Sequence, residues 1–203
     1  TVFGASGFIG RHLVAYLRGI GEEVYVAPRD LSDLPSQKHL GHIIYAIGMT
    51  ANFRGRPLDT VDAHVGILSE ILRSRSFESL LYLSSTRIYQ NVDQGLESSS
   101  AVVEPGKASS IYNISKLLGE SLCHAAGPAV TRVARLSNVY GSGMPAENFL
   151  RVICRSALDD GVVRLASALD SVKDYVAIGD VTKLICQIAS CGQHSVYNVA
   201  SGC

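Results

Sequence analysis

Apolar and polar positions along this chain follow two alternating periods, and the switches between them mark out its elements. Ile9, Leu13, Val14 and Leu17 recur at helical spacing and predict a helix over 8–19. Short aliphatic and β-branched runs predict strands at 24–27, 42–47, 80–84, 130–134, 162–165 and 195–199. Further helices are predicted over 60–75, 110–126, 147–158 and 180–190. Because strand and helix signals alternate from end to end, the expected class is α/β, with a parallel sheet covered by helices on both faces. No internal repeat stands out. Residues 93–110 are rich in Ser and Gly without a clear period, which predicts a loop placed as a rim or lid just ahead of Tyr112. The opening run Thr1-Val2-Phe3 is short for a central strand, so the natural chain is expected to begin several residues upstream.

Composition narrows the function classes. With 203 residues, 47% hydrophobic and 18% charged, there is material for one core, as a single domain or a domain with a small lobe. Eighteen basic residues balance eighteen acidic ones without a Lys/Arg run, which excludes the electrostatic footprint of a nucleic-acid or anionic-membrane partner. No apolar run reaches the ~18 residues of a membrane span. The N-terminus shows no signal peptide, and a cytoplasmic location is expected. Cys123, Cys154, Cys186, Cys191 and Cys203 form an odd set without CxxC spacing, read as reduced core or near-core residues rather than metal ligands or disulfides. Asn113-Ile114-Ser115 matches a glycosylation sequon, a chance match in a chain with no secretory signal.

Three segments carry candidate chemistry. Gly4-Ala5-Ser6-Gly7-Phe8-Ile9-Gly10 follows a strand and opens a helix. In that setting the glycines permit a tight turn, close approach of a pyrophosphate and close packing of helix on sheet, while the helix N-terminus faces the anion. Tyr112 and Lys116 stand four apart on one helix face, where an ammonium favours the phenolate and turns a phenol into a usable base. The predicted strand at 80–84 runs into Ser84-Ser85-Thr86, at the end of the sheet where α/β proteins bind ligands, so Ser85 and Tyr112 can share one crevice with the glycine turn.

These segments, in this order, resemble the NAD-dependent epimerase/dehydratase family of extended short-chain dehydrogenase/reductases. Arg135-Leu136-Ser137-Asn138-Val139-Tyr140-Gly141, then Lys173-Asp174-Tyr175-Val176 with Asp180-Val181, then Val196-Tyr197-Asn198-Val199-Ala200-Ser201-Gly202 extend the likeness over nearly the whole chain. The resemblance implies a Rossmann-type doubly wound parallel sheet, with a dinucleotide-binding domain over 1–140. It also implies a small, incomplete C-terminal substrate lobe over 141–203, interleaved with the last strands. Tyr112 then matches the general base, Lys116 the residue that holds the nicotinamide ribose and lowers the tyrosine pKa, and Ser85 the hydroxyl that bonds the reacting sugar oxygen. Gly4, Gly7, Phe8, Ile9 and Gly10 match the pyrophosphate turn. Thr86 and Asn138 match substrate-side positions, and Asp174 an acid that is either structural or substrate-side; for Asn138 and Asp174 a packing or capping role is an equal reading.

Departures from the family pattern shape the expectation. Where NAD-selective relatives carry an acid, this chain has Ala27-Pro28-Arg29, and the guanidinium leans towards the ribose phosphate of NADP. Asp30 can turn inward, and Asp33 can stand beside the adenine, which keeps NAD open. The connection from Arg29 to His42 is short, implying a missing helix and a missing strand. Thr86 and Arg87 replace the acidic pair of the dehydratases, which disfavours 4,6-dehydration. His64 replaces a frequent Asn and reads as a helix-face histidine satisfied by backbone or solvent. The function expected is nucleotide-sugar epimerisation by transient oxidation. The alternatives are an NADPH-dependent keto-sugar reductase and, in another class, a non-catalytic dinucleotide-binding sensor. Leu68, Ile71, Leu72, Leu117 and Leu118 are enough for a core face and, by resemblance, a homodimer contact.

Overall fold

The computed structural model describes residues 1–203 apart from 36, 91, 166–170 and 203. Its strands are β1 (Val2–Phe3), β2 (His42–Tyr45), β3 (Ser79–Ser85), β4 (Thr131–Leu136), β5 (Asn138–Tyr140), β6 (Tyr175–Ala177) and β7 (Val196–Val199). Its α-helices are α1 (Phe8–Gly19), α2 (Pro57–Val61), α3 (Ile67–Ser74), α4 (Ile111–Ala126), α5 (Phe149–Asp159) and α6 (Ile178–Cys191). The main sheet runs β1-β2-β3-β4-β7, every pairing parallel, and β5 with β6 form a separate parallel pair. All five strands of the main sheet therefore end on the same side.

The strand period of two sorts side chains cleanly between two cores. Ile43, Tyr45, Leu80, Tyr82 and Val133 point to the face covered by α3 and α4, where Leu68, Ile71 and Cys123 meet them. Ile44, Leu81, Leu83 and Ala134 point to the other face, against Leu13 of α1 and Val181, Ile185 and Ile188 of α6. Tyr45, Tyr82, Leu68, Ile71 and Leu13 are fully buried, each large side chain contributing about 1.5–3 kcal/mol. The doubly wound sheet expected from the alternation is the one observed.

Several predicted elements differ. Residues 24–27 lie beside β1 through Val2 N–H to Tyr25 C=O (2.9 Å) and Ala27 N–H to Val2 C=O (3.1 Å), yet only a single bridge forms, Val2 with Val26. In place of a helix and a further strand, the connection to β2 holds one 3₁₀ turn, Leu31–Asp33. No strand forms at 162–165, where every side chain is exposed and no neighbouring strand pairs with it. The short strands β5 and β6 carry too few alternating positions to announce themselves in sequence. The helix expected over 60–75 begins at Pro57, which suits a first helical position, and is broken by a π-helical turn at Asp62–Gly66. Cys123 is buried and Cys186 half-buried, whereas Cys154 and Cys191 are exposed; all four are free thiols, and Cys203 lies outside the described residues.

From β1 the chain passes through α1 to 24–27 on one side, then returns to β2 on the other. The crevice opened by this reversal, at the carboxyl end of β1, is the place where open α/β sheets bind ligands.

Candidate active site

The glycine turn sits at that crevice. Gly4 has φ +79, and a side chain on it would come within 2.7 Å of the Ala46 carbonyl. A Cβ on Gly10 would run onto the Gly4 carbonyl, so backbone alone closes this turn. The Gly7 N–H donates to the Gly4 carbonyl (3.0 Å), and α1 then starts without any side-chain cap. The amides of Phe8, Ile9 and Gly10 thus present the positive end of the helix with no side chain of the protein occupying it. A cradle that any Cβ would fill, backed by an uncapped helix N-terminus, fits a dinucleotide pyrophosphate.

Beyond the segment 24–27, Arg29 is exposed and makes no ion pair among the described residues. Asp30 does not turn inward. Its carboxylate accepts from the Ser32 N–H (2.9 Å) and the Ser32 hydroxyl (2.8 Å), bonds that hold its pKa below the ordinary value. Arg29, Asp30, Leu31, Asp33, Ile67 and Glu70 line a groove of about 560 Å³ on the α3 side. Asp33 and Arg29 therefore share the wall of one groove, away from the Tyr112 phenol.

On α4, Tyr112, Lys116 and Glu120 follow one another at intervals of four and all three are buried, facing the carboxyl ends of β3 and β4. The Ser85 hydroxyl, at the end of β3, accepts from the Arg87 N–H (3.2 Å) and lies near enough to the Tyr112 phenol to act on its pKa. Burial pushes the phenol above its ordinary pKa, opposed by the Ser85 hydroxyl and the Arg87 charge. Lys116 donates to the Leu83 carbonyl (2.8 Å) and lies 4.8 Å from the centre of the Tyr82 ring. Burial pulls its ammonium down to about 7, against the opposing pull of Glu120 and Cys123. The cation whose charge favours the Tyr112 phenolate in this structure is Arg87, while Lys116 is directed at the strand backbone.

His64 occupies the π-helical turn and is fully buried. Its Nε2 accepts from the Met49 N–H (3.2 Å), which assigns the proton to Nδ1, donating to Ser115 Oγ (2.8 Å); that hydroxyl donates on to the Tyr112 carbonyl (3.0 Å). Burial and the Lys116 charge push its imidazolium down to about 3, so the ring is neutral and solvent plays no part in satisfying it. The wider turn leaves carbonyls that tyrosines answer: Tyr45 donates to Ala63 (2.7 Å) and Tyr82 to His64 (3.1 Å). Gly48 passes over this corner, where an added Cβ would stand 3.5 Å from Lys116 Nζ and 3.6 Å from His64 Nε2.

The remaining expected positions have structural partners. Asn138 donates its amide to the Asp174 carbonyl (2.9 Å). The Asp174 carboxylate accepts from the Ser201 N–H (3.0 Å), the Ser201 hydroxyl and the Gly202 N–H (3.3 Å); burial raises its pKa, but the nearby Ser137 hydroxyl and these bonds prevail and lower it. Thr86 donates weakly to the Leu136 carbonyl (3.4 Å).

Sequence reasoning did not anticipate the polar cluster one turn beyond Lys116. Glu120 accepts from Arg135 Nη2 (2.7 Å) and from the Ser84 hydroxyl (2.5 Å), and Arg135 Nη1 donates to the Tyr89 hydroxyl (2.6 Å) and the Glu97 carbonyl (3.1 Å). Tyr89 in turn donates to Asn198 (2.9 Å), whose Nδ2 donates to the Gly95 carbonyl (2.7 Å). The start of the predicted rim is thus fastened to β4 and β7. The available signal was the helical spacing of Glu120 from Tyr112 and Lys116.

The sheet, the crevice and the glycine cradle define a Rossmann-type dinucleotide-binding α/β protein. A sequence profile of the NAD dependent epimerase/dehydratase family matches residues 1–200, and the chain belongs to that family. It is 30% identical, over 99% of its own length and 74% of the relative's, to the GDP-6-deoxy-D-mannose reductase of Pseudomonas aeruginosa. Its fold is similar to that of RMD from Pseudomonas aeruginosa complexed with NADPH, with TM-score 0.79 and 26% identity, covering 100% of this chain and 78% of that one. It is also similar to MoeE5 in complex with UDP-glucose and NAD, with TM-score 0.82 and 20% identity, covering 100% and 76%, a likeness of fold alone. The protein is accordingly an NAD(P)-dependent enzyme of a sugar-modifying family, and it spans about three quarters of the length of these relatives. Among the described residues no helix is long and apolar enough to cross a membrane.

Proposed function

We propose that this enzyme interconverts a hydroxyl and a keto carbon on a nucleotide-linked sugar, with Tyr112 moving the proton and Ser85 holding the reacting oxygen. The observation that carries this reading is that Ser85, at the carboxyl end of β3, and the buried Tyr112 phenol of α4 stand together, close enough for the hydroxyl to act on the phenol's pKa. A nicotinamide cofactor held by these residues would supply or accept the hydride. Tyr112, kept protonated near neutral pH by burial, gives its proton to the keto oxygen as the carbinol forms and takes it back in reverse. Ser85 donates to the same oxygen and stabilises the charge that develops there. Lys116, within reach of the Gly48 backbone, holds the ribose beside the nicotinamide, and Phe8, Ile9 and Gly10 hold the pyrophosphate.

Run out and back on one sugar, this chemistry is epimerisation; run once with supplied NADPH, it is keto-sugar reduction. Sequence alone places epimerisation first. The protonated phenol, the unpaired Arg29 suited to a ribose phosphate, and the 30% identical reductase favour net reduction with NADPH. Stoichiometric loss of NADPH absorbance on a nucleotide-linked keto-sugar supports the reductase; retained cofactor with inverted product and no net NADPH loss returns the assignment to epimerase. Tyr112→Phe should lower turnover about 10²–10⁴-fold while NADPH binding persists; unchanged turnover would refute Tyr112 as the proton carrier, and a wild-type protein that binds NADPH but turns over no sugar nucleotide would be a nucleotide sensor. The reading includes a cytoplasmic homodimer joined through α2 and α4, where Leu58 and Leu118 are exposed; light scattering measures its mass.

A further inference from the structure

One arginine overlies the Tyr112 ring and a second shares its Phe53 neighbour, and among the described residues neither has a carboxylate partner. The turn after β2, with Asn52 at φ 53, carries buried Phe53 to within 5.3 Å of the Tyr112 ring, centre to centre. The Arg54 guanidinium lies 4.6 Å from the centre of the Phe53 ring. The Arg87 guanidinium lies 5.1 Å from the same ring and 5.5 Å from that of Tyr112. Among the described residues no carboxylate comes within ion-pair distance of either arginine. Among the described residues Arg87 Nε is buried with no hydrogen-bond partner, and burial followed by the Arg54 charge depresses the Arg87 pKa.

Such an arrangement is costly on its own. Two like charges share an aromatic surface, and a desolvated donor goes unused beside the group that moves the proton. Cation–π contact offsets part of this, but it satisfies no N–H in the guanidinium plane. An anion lying between the arginines and the Tyr112 phenol would pair the charges and engage Nε. A guanidinium fork matches the two oxygens of a carboxylate in particular.

We infer that Arg87 and Arg54 form a carboxylate-recognising pair beside the reacting carbon, so that the sugar this enzyme takes is a nucleotide-linked uronate. The inference rests on the nucleotide-sugar reading proposed for the Tyr112 site. Arg87 lies 5.5 Å from the centre of the ring whose hydroxyl would serve the reacting oxygen, so a carboxylate that it pairs with would belong to the same sugar ring. The substrate's own diphosphate hangs from the anomeric carbon, and the cofactor's phosphates belong to the Gly4–Gly10 cradle. Neither is the anion at issue.

The test is isothermal titration of the NADPH-loaded enzyme with matched probes: UDP-glucuronic acid against UDP-glucose, and GDP-mannuronic acid against GDP-mannose. Within each pair, base and diphosphate are identical and only the carboxylate differs. In one pair the uronate should bind about ten- to hundred-fold tighter, the effect of hydrogen bonds to a charged group. That ratio should fall towards one in Arg87→Gln and fall partway in Arg54→Gln, whose exposed site keeps folding intact. Equal or weaker binding of the uronate, or a preference that survives both substitutions, overturns the inference and leaves the nucleotide-sugar reading standing. If no member of either pair binds the loaded enzyme, the nucleotide-sugar reading fails, and the inference fails with it.

Discussion

Removing Glu120 should destabilise the protein far more than removing Glu120 and Arg135 together. The two side chains are only 3% and 7% exposed and meet at 2.7 Å. Glu120→Leu strands a guanidinium whose remaining partners are the Tyr89 hydroxyl and the Glu97 carbonyl, at a cost of about 3–5 kcal/mol for an uncompensated buried charge. The Ser84 hydroxyl also loses its acceptor, adding about 1 kcal/mol. Arg135→Met strands the carboxylate instead, at a similar cost of about 3–5 kcal/mol. Independent effects would then reach about 7–11 kcal/mol, most of the ~5–15 kcal/mol that a domain has. The Glu120→Leu/Arg135→Met double variant leaves no charge unpaired and should lose only about 1–3 kcal/mol. Urea unfolding at pH 7, with free energies extrapolated to water, measures the cycle. A double variant whose loss equals the sum of the single losses would refute the reasoning, as would a Glu120→Leu loss below about 1 kcal/mol.

Two further outcomes follow from the same geometry. The Lys116 pKa is depressed from 10.5 to about 7 in the folded protein, so between those values the unfolded chain binds the extra proton. Stability from this group therefore rises with pH across that window, by up to about 1.4 kcal/mol per pH unit, and its penalty is complete below pH 7. Lys116→Met should remove that rise in thermal melts from pH 6 to 10, and an unaltered slope would show that the ammonium is solvated. Gly10→Ala places a methyl on the Gly4 carbonyl, 2.7 Å from its carbon and 2.8 Å from Ala5 Cα, so α1 must move off the turn and NADPH affinity should collapse. Gly19→Ala is the control, since a Cβ there meets nothing within 4 Å, and NADPH titration by fluorescence that gives equal affinities would contradict the cradle.

How much of this could be read from sequence depends on whether a feature is local. The α1 boundaries were legible because apolar spacing and the flanking glycines agree. The double core was legible because β3 is seven residues long, enough for alternation to show, whereas β5 and β6, each three residues, are defined by each other. The run at 162–165 has strand composition but no neighbour to pair with, and composition cannot supply one. Ser85 and Tyr112 were findable as motifs. Their electrostatic setting was not: Arg87 overlies the Tyr112 ring only through tertiary packing, and Glu120 meets Arg135 across fifteen positions of sequence.

The π-helical turn at Asp62–Gly66 has a consequence for how the protein tolerates change. A turn with one residue more than its neighbours acts as a phase shift in a wave, rotating everything beyond it by about 100°. Thr60, ahead of the shift, and His64, within it, face the corner around Met49 and Ser115; beyond it, Leu68 and Ile71 meet the sheet. One helix thereby serves two surfaces, the polar corner and the sheet, with the registration between them set at the π turn. Losing a single residue here would restore an ordinary helix and break the registration between them, so this short stretch should accept substitutions more readily than deletions.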